Sequence, residues 1–165
     1  MTDRQVTMLS KVIDNQPIIA REGWPFLAIS VVLAGLASAY GSAWLTVLLW
    51  LIALFVLQFF RDPPRSIPVG EGLVVAPADG RVIWTGIARD PFLKRDALKV
   101  SIFMNVFNVH SNRSPLDGTI ADIWYSAGKF FNADLDKASE QNECNALHIK
   151  TSAGDDVTCV QVAGL

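Results

Sequence analysis

The run "WPFLAISVVLAGLASAYGSAWLTVLLWLIALFVLQFF", residues 24–60, contains no Asp, Glu, Lys or Arg. A helix needs about 20 apolar residues, within a usable range of about 17 to 25, to cross a hydrocarbon core of about 30 Å. The run is too long for one such span and just long enough for two short ones. At "YGSA", Tyr40 to Ala43, glycine and serine permit a tight turn between them. Trp24, Tyr40 and Trp44 fall where interfacial aromatic residues are expected. The sequence predicts a transmembrane helical hairpin over residues 22–60.

The flanks set its orientation. Arg4, Lys11 and Arg21 precede the run, Arg61 and Arg65 follow it, and the connecting turn carries no charge. Basic flanks stay on the cytoplasmic side. Residues 1–21 then form a cytoplasmic N-terminal segment, and whatever follows the hairpin sits at the cytoplasmic face of the cell membrane. Two other readings compete. A cleaved signal peptide is suggested by "ASA" at residues 37–39, but the apolar run continues past it and the region before it is long. A hairpin buried inside a water-soluble protein would need apolar partners around both helices.

Beyond the run the material changes. "RDPPRSIPVGEG", residues 61–72, reads as a Pro/Gly linker, and proline there should stop the second helix near Phe60. From Leu73 onward the texture is β. "LVVAP", "RVIWTGIA", "ALKVSIFMNV", "TIADIWYS", "NALHIKTS" and "DVTCVQVAG" read as short strands with turn residues between them. In the second of these, Val82, Trp84 and Gly86 are expected on one face and Ile83, Thr85 and Ile87 on the other. Only "DLDKASEQNE", Asp134 to Glu143, has helix-like composition, and it reads equally as a polar loop. The fold class expected for residues 73–165 is mainly β, a sandwich or barrel-like sheet, with α+β as the alternative. The last stretch, "VTCVQVAGL", stops within what reads as a strand, so the sequence is expected to be part of a longer polypeptide.

Composition excludes several function classes. The 165 residues allow one domain and an appendage, with 51% apolar and only 18% charged residues. The net charge of −2, with basic residues interspersed among acids, offers no field for nucleic acid. Cys144 and Cys159 fit no metal or redox spacing and read as small core residues in a reducing compartment. No metal-ligand set is visible, and "GEG" at 70–72 is too short for a phosphate loop.

Two residues carry candidate chemistry. Asp79 lies in "APADGRV" at a turn after an apolar run, and His110 lies in "NVHSNRSP" at the mouth of another. Read singly, the first is a turn aspartate and the second a structural histidine. As a pair they can act together: the carboxylate orients the ring, and the free ring nitrogen becomes a base for a hydroxyl or thiol. No obvious nucleophile accompanies them. His148, inside the alternating "ALHIK", reads as structural. Phe130 and Phe131 suit either a core plug or an apolar lip for a lipid tail.

The order "FRDPPRSIP", "GLVVAPADGRV", "SIFMNVFNVHSNRSP", "GKFFNADLDKASEQNE" and "VQVAGL" closely resembles the phosphatidylserine decarboxylases, in their short membrane-anchored form. The resemblance runs from about Phe60 to the last residue, and the apolar hairpin fits the short form. It implies a proenzyme that cuts itself at a serine, expected beyond residue 165, and leaves a pyruvoyl group as the covalent cofactor. That group combines with the amine of phosphatidylserine and accepts electrons as CO2 leaves. By resemblance Asp79 is the orienting acid and His110 the base, while Asn112 and Arg113 approach the substrate's phosphate or carboxylate and Phe130 and Phe131 its tails. The implied partners are phosphatidylserine, the phospholipid membrane and the pyruvoyl-bearing C-terminal chain of the same proenzyme, with a homodimer left open. The sequence departs from the family in two respects. The Gly-Ser cleavage motif is absent, and Phe107 and Asn108 occupy the region where many relatives have a further histidine. A non-catalytic membrane-tethered β-domain adaptor and a membrane-anchored hydrolase are the alternatives.

Overall fold

The computed structural model describes residues 17–68, 70, 72–130 and 141–164. Two helices come first, α1 (Trp24–Tyr40) and α2 (Ala43–Phe59). Pro25 opens α1, where its missing N–H has no helical partner to lose. Gly41 ends it by donating to the Ala37 carbonyl at 2.8 Å, and a Cβ on Gly41 would lie 2.6 Å from that same oxygen. Ser42 then caps α2 by accepting from the Leu45 N–H. The break expected at "YGSA" is where the chain turns.

Small residues bring the helices together. Ala34, Ala37 and Ala53 are buried, and short side chains let two backbones approach closely. Across the contact, Thr46 donates to the Ala37 carbonyl at 2.9 Å and Trp50 Nε1 donates to Ser38 Oγ at 3.2 Å. At the open end, Ala20 N–H donates to Phe60 O at 2.8 Å and Asp62 N–H to Ile18 O, pairing the two flanks antiparallel. The outward side chains are apolar and exposed, including Val32, Leu36, Leu48, Leu51 and Leu54. The stretch Arg21–Tyr40, 20 residues with mean hydropathy 1.6, is long and apolar enough to cross a membrane; α2 is apolar but shorter, at 17 residues. Arg4 and Lys11, used above for orientation, lie outside the described residues.

The remainder is β, in two antiparallel sheets rather than the single sandwich or barrel expected. Strands β1 (Arg81–Asp90) and β2 (Arg95–Phe103) form a two-stranded ribbon, and β3 (Thr119–Ser126), β4 (Cys144–Lys150) and β5 (Asp156–Val162) form a three-stranded meander. With its two helices, the chain is α+β. The ribbon pairs Arg81 with Phe103 and Asp90 with Arg95, and a register shift between Val82 and Trp84 interrupts the alternation expected there. "LVVAP" is not a strand: Val75 makes one backbone bond, to Pro115 O at 2.8 Å, and Pro77 offers no donor for a ladder. Asp134 to Gln141 of "DLDKASEQNE" falls largely outside the described residues.

Contacts divide the chain into two compact units, Met1–Pro68 with Met104–Asn112, and Val69–Phe103 with Arg113–Leu165. In the second, the Asp90 carboxylate ties the ribbon to the meander. It closes the β1–β2 turn by accepting from Phe92 N–H at 3.0 Å and Leu93 N–H at 3.3 Å, and it accepts from Thr158 Oγ1 on β5 at 2.6 Å. Arg95 reaches both Asp90 and Asp156. Burial alone would raise the Asp90 pKa, but the Thr158 hydroxyl, the two amides and the Arg95 charge outweigh it and hold the carboxyl below its ordinary value. Cys144 and Cys159 are free thiols, both half-buried in the meander.

Candidate functional site

His110 lies in the loop that follows β2. The strand stops at Phe103, short of the Val106 expected, because asparagine side chains capture the backbone there. Asn105 Oδ1 accepts from Phe107 N–H at 2.9 Å, Asn108 Oδ1 accepts from Asn105 N–H at 2.8 Å, and Asn108 N–H donates to Asn105 O at 3.0 Å. The result is a self-tied turn, "NVFN", from which Val109 points into a buried position and His110 emerges half-buried.

The ring of His110 is held from two directions. Its Nδ1 lies 3.0 Å from the Asn108 carbonyl oxygen. A carbonyl can only accept, so Nδ1 carries the proton and a neutral ring keeps its lone pair on Nε2. One ring face stacks on Phe59, with centroids 4.0 Å apart and planes 26° from parallel. The loop is also held at both shoulders. Phe107 O accepts from Gln58 Nε2 at 3.1 Å and Arg61 Nη2 at 2.8 Å, and Ser111 O accepts from Arg65 Nη2 at 2.8 Å. Gln58, Phe59, Arg61, Arg65 and the loop all belong to the first unit.

Asp79 belongs to the second unit, on an exposed bend just before β1. Gly80 seats that bend against the end of β2. A Cβ there would lie 2.3 Å from Phe103 O and 3.0 Å from Ile102 Cγ2, so no larger residue fits without displacing the backbone. The segment is fixed again where Arg113 N–H donates to Pro77 O at 2.9 Å. Of the other expected site residues, Asn112 is exposed, Arg113 is half-buried, Phe130 is 54% exposed and Phe131 lies outside the described residues. No group of acidic, histidine or cysteine side chains that could hold a metal occurs among the described residues.

His148 is a different kind of histidine. It is buried on β4, stacked with Trp124, with Nε2 2.7 Å from Asp156 Oδ1 and Nδ1 3.3 Å from Asp122 Oδ2. Both nitrogens face carboxylates, an arrangement that favours the protonated ring. The Asp156 hydrogen bond is the main reason its pKa is raised, and burial opposes the shift. The structural role read from the sequence matches this placement.

Sequence reasoning missed Gln58, Phe59, Arg61 and Arg65 as partners of the histidine loop. Arg61 and Arg65 stand in "FRDPPRSIP", where the sequence marks them as membrane flank and linker but not as loop partners. Their contacts lie far away along the chain, and no local pattern encodes them.

The sequence family described as phosphatidylserine decarboxylase matches residues 52–165. Among individual relatives, the phosphatidylserine decarboxylase proenzyme of Nitrosomonas eutropha is 62% identical over 150 residues, covering 90% of this chain and 69% of its own. That of Aromatoleum aromaticum is 59% identical over 150 residues, with the same coverage. That of Burkholderia pseudomallei is 57% identical over 149 residues, again covering 90% of this chain and 69% of its own. The chain belongs to the phosphatidylserine decarboxylase family.

Proposed function

We propose that the protein is a membrane-anchored proenzyme that cleaves itself and then decarboxylates phosphatidylserine to phosphatidylethanolamine. The observation that carries the reading is the His110 ring, held by the Asn108 carbonyl in a chain of this family. Self-cleavage needs a base for a serine hydroxyl, and a base needs an unprotonated nitrogen with a fixed direction. The Asn108 bond gives His110 a fixed direction, and in the neutral ring Nε2 carries the lone pair. In this reading Nε2 takes the hydroxyl proton as the serine oxygen attacks its own preceding carbonyl, and the serine is expected beyond residue 165.

Asp79 then has a narrower task than choosing the tautomer, since the Asn108 carbonyl already occupies Nδ1. Its carboxylate stabilises the imidazolium that forms when Nε2 takes the proton. The pyruvoyl group produced by cleavage supplies the carbonyl that accepts electrons when CO2 departs. Asn112 and Arg113 contribute polar contacts to the head group, and Phe130 and Phe131 an apolar lip.

The helices α1 and α2 form the membrane hairpin in this reading, with both flanks cytoplasmic. A tether raises the effective concentration of a head group that never leaves the bilayer surface. The test is the intact mass of the product of the complete reading frame, extracted from membrane. Two chains, the smaller with an N-terminal mass fitting pyruvoyl, are expected. One unprocessed chain would overturn the reading.

A further inference from the structure

We propose that Phe59, the last residue of α2, is a positioning residue for His110, so that the end of an apolar helix sets the direction of the base. The inference rests on the assignment of His110 as the processing base. A neutral imidazole works only when its lone pair points at the proton to be taken, and the Asn108 bond leaves the ring one freedom, a tilt about that contact. Phe59 removes it by covering one face at 4.0 Å between centroids. Stacking of this kind fixes ring planes without engaging the ring nitrogens. Among the described residues nothing bonds Nε2, which therefore stays available.

Phe59 is itself immobilised by an aromatic ladder. Its ring lies 6.1 Å from Phe55 and 5.2 Å from Phe60, and Phe60 stacks on Phe26 of α1 at 5.5 Å. The surroundings hold the backbone of the same loop to the same helix end. Arg61 uses two arms of its guanidinium, one on the Gln58 carbonyl at 2.7 Å and one on the Phe107 carbonyl at 2.8 Å. Gln58 adds a second donor to Phe107, and Arg65 secures Ser111 on the far side of the histidine. The loop is fixed before and after His110, and the ring is fixed on its face. The backbone on both sides of His110 and the face of its ring are thus held by one helix end.

The experiment follows self-cleavage of the full-length protein, synthesised in the presence of membrane, with histidine labelled by nitrogen-15. His110→Ala is the reference. If that variant cleaves normally, the assignment of His110 as base falls and this inference with it. If it is blocked, the Phe59 variants decide. Phe59→Leu and the volume-conserving Phe59→Met are expected to cleave about 10- to 100-fold more slowly, the scale of a misdirected catalytic group. Phe59→Tyr, which keeps the ring face, is expected to cleave near the wild-type rate. Phe55→Leu, which removes one support of the Phe59 ring but keeps the histidine contact, is expected to slow cleavage less than Phe59→Leu. The His110 ring signals should shift and broaden in Phe59→Met as the ring gains its tilt, while those of His148 stay unchanged and report an intact meander. Wild-type rates in both Leu and Met variants, or equal slowing by Phe55→Leu, would overturn the proposal. So would an unaltered His110 signature in a slowed variant.

Discussion

Thr158 donates its hydroxyl to the Asp90 carboxylate at 2.6 Å, so a residue on β5 anchors the side chain that closes the β1–β2 turn. The bond matters because Asp90 is buried and its other oxygen already serves two backbone amides. Removing the hydroxyl leaves one oxygen of a buried carboxylate with a distant Arg95 alone, whereas removing the carboxylate strands three donors. Thr158→Val should therefore destabilise the protein by about 1–2 kcal/mol and Asp90→Ala by about 2–4 kcal/mol. Thermal unfolding of the purified protein in detergent should give that order. The reverse order would show that the turn amides find other partners.

The second prediction concerns pH. The His148 pKa is raised above its ordinary 6.5, chiefly by the Asp156 bond. Stability from a raised pKa is complete below the unfolded value and is lost as pH climbs through the folded value. The Asp156 carboxyl is lowered below its ordinary 3.8, with the His148 bond as the leading cause, so its contribution is present above that value and is lost as acid titrates it. The pair should give a plateau between these two limits, falling on both sides. His148→Gln should flatten the alkaline fall above neutral pH while lowering the plateau. An unchanged alkaline limb in a stability profile would mean that another group produces it.

Two glycines should behave in opposite ways. Gly80→Ala places a methyl 2.3 Å from a backbone oxygen, and that neighbour cannot rotate aside. The Asp79 bend must shift, with an expected cost of about 1–3 kcal/mol and slower self-cleavage. Gly35→Ala on α1 meets nothing within 4 Å and should be neutral or mildly stabilising, since alanine is the better helix former. Comparable losses in both would remove the special place given to the Gly80 contact.

These contrasts indicate which parts of the molecule were legible in the sequence. The helices were, because a charge-free run and a Gly-Ser break are local signals, and both helix limits fall close to those expected. The strands after Arg81 were legible for the same reason. "LVVAP" was not, because valine-rich extended chain looks alike whether it pairs in a ladder or merely passes one. The arrangement of strands into two sheets was also hidden, since alternation shows which residues share a face but not which strands pair. At the site, His110 stood out by its motif. The atoms that aim it, a backbone carbonyl two residues earlier and a ring at a helix end, leave no trace in composition or spacing.

The last prediction separates arginine geometry from arginine charge at the helix exit. Arg61 bridges the Gln58 carbonyl, an orphan acceptor at the end of α2, and the Phe107 carbonyl in the histidine loop. A guanidinium can span both with a rigid fork, whereas an ammonium is a compact donor on a flexible stem. Arg61→Lys keeps the positive charge on that flank, so membrane insertion and orientation should persist. The loop should lose one charge-assisted bond, worth about 1.5 kcal/mol, or about a tenfold slowing of self-cleavage if all of it is expressed at the base. Arg65→Lys has only the single Ser111 contact to reproduce and should slow cleavage less. Processing half-times of the two variants, measured beside an assay of membrane association, settle the matter. If Arg61→Lys is processed at the wild-type rate, the flank acts through its charge alone.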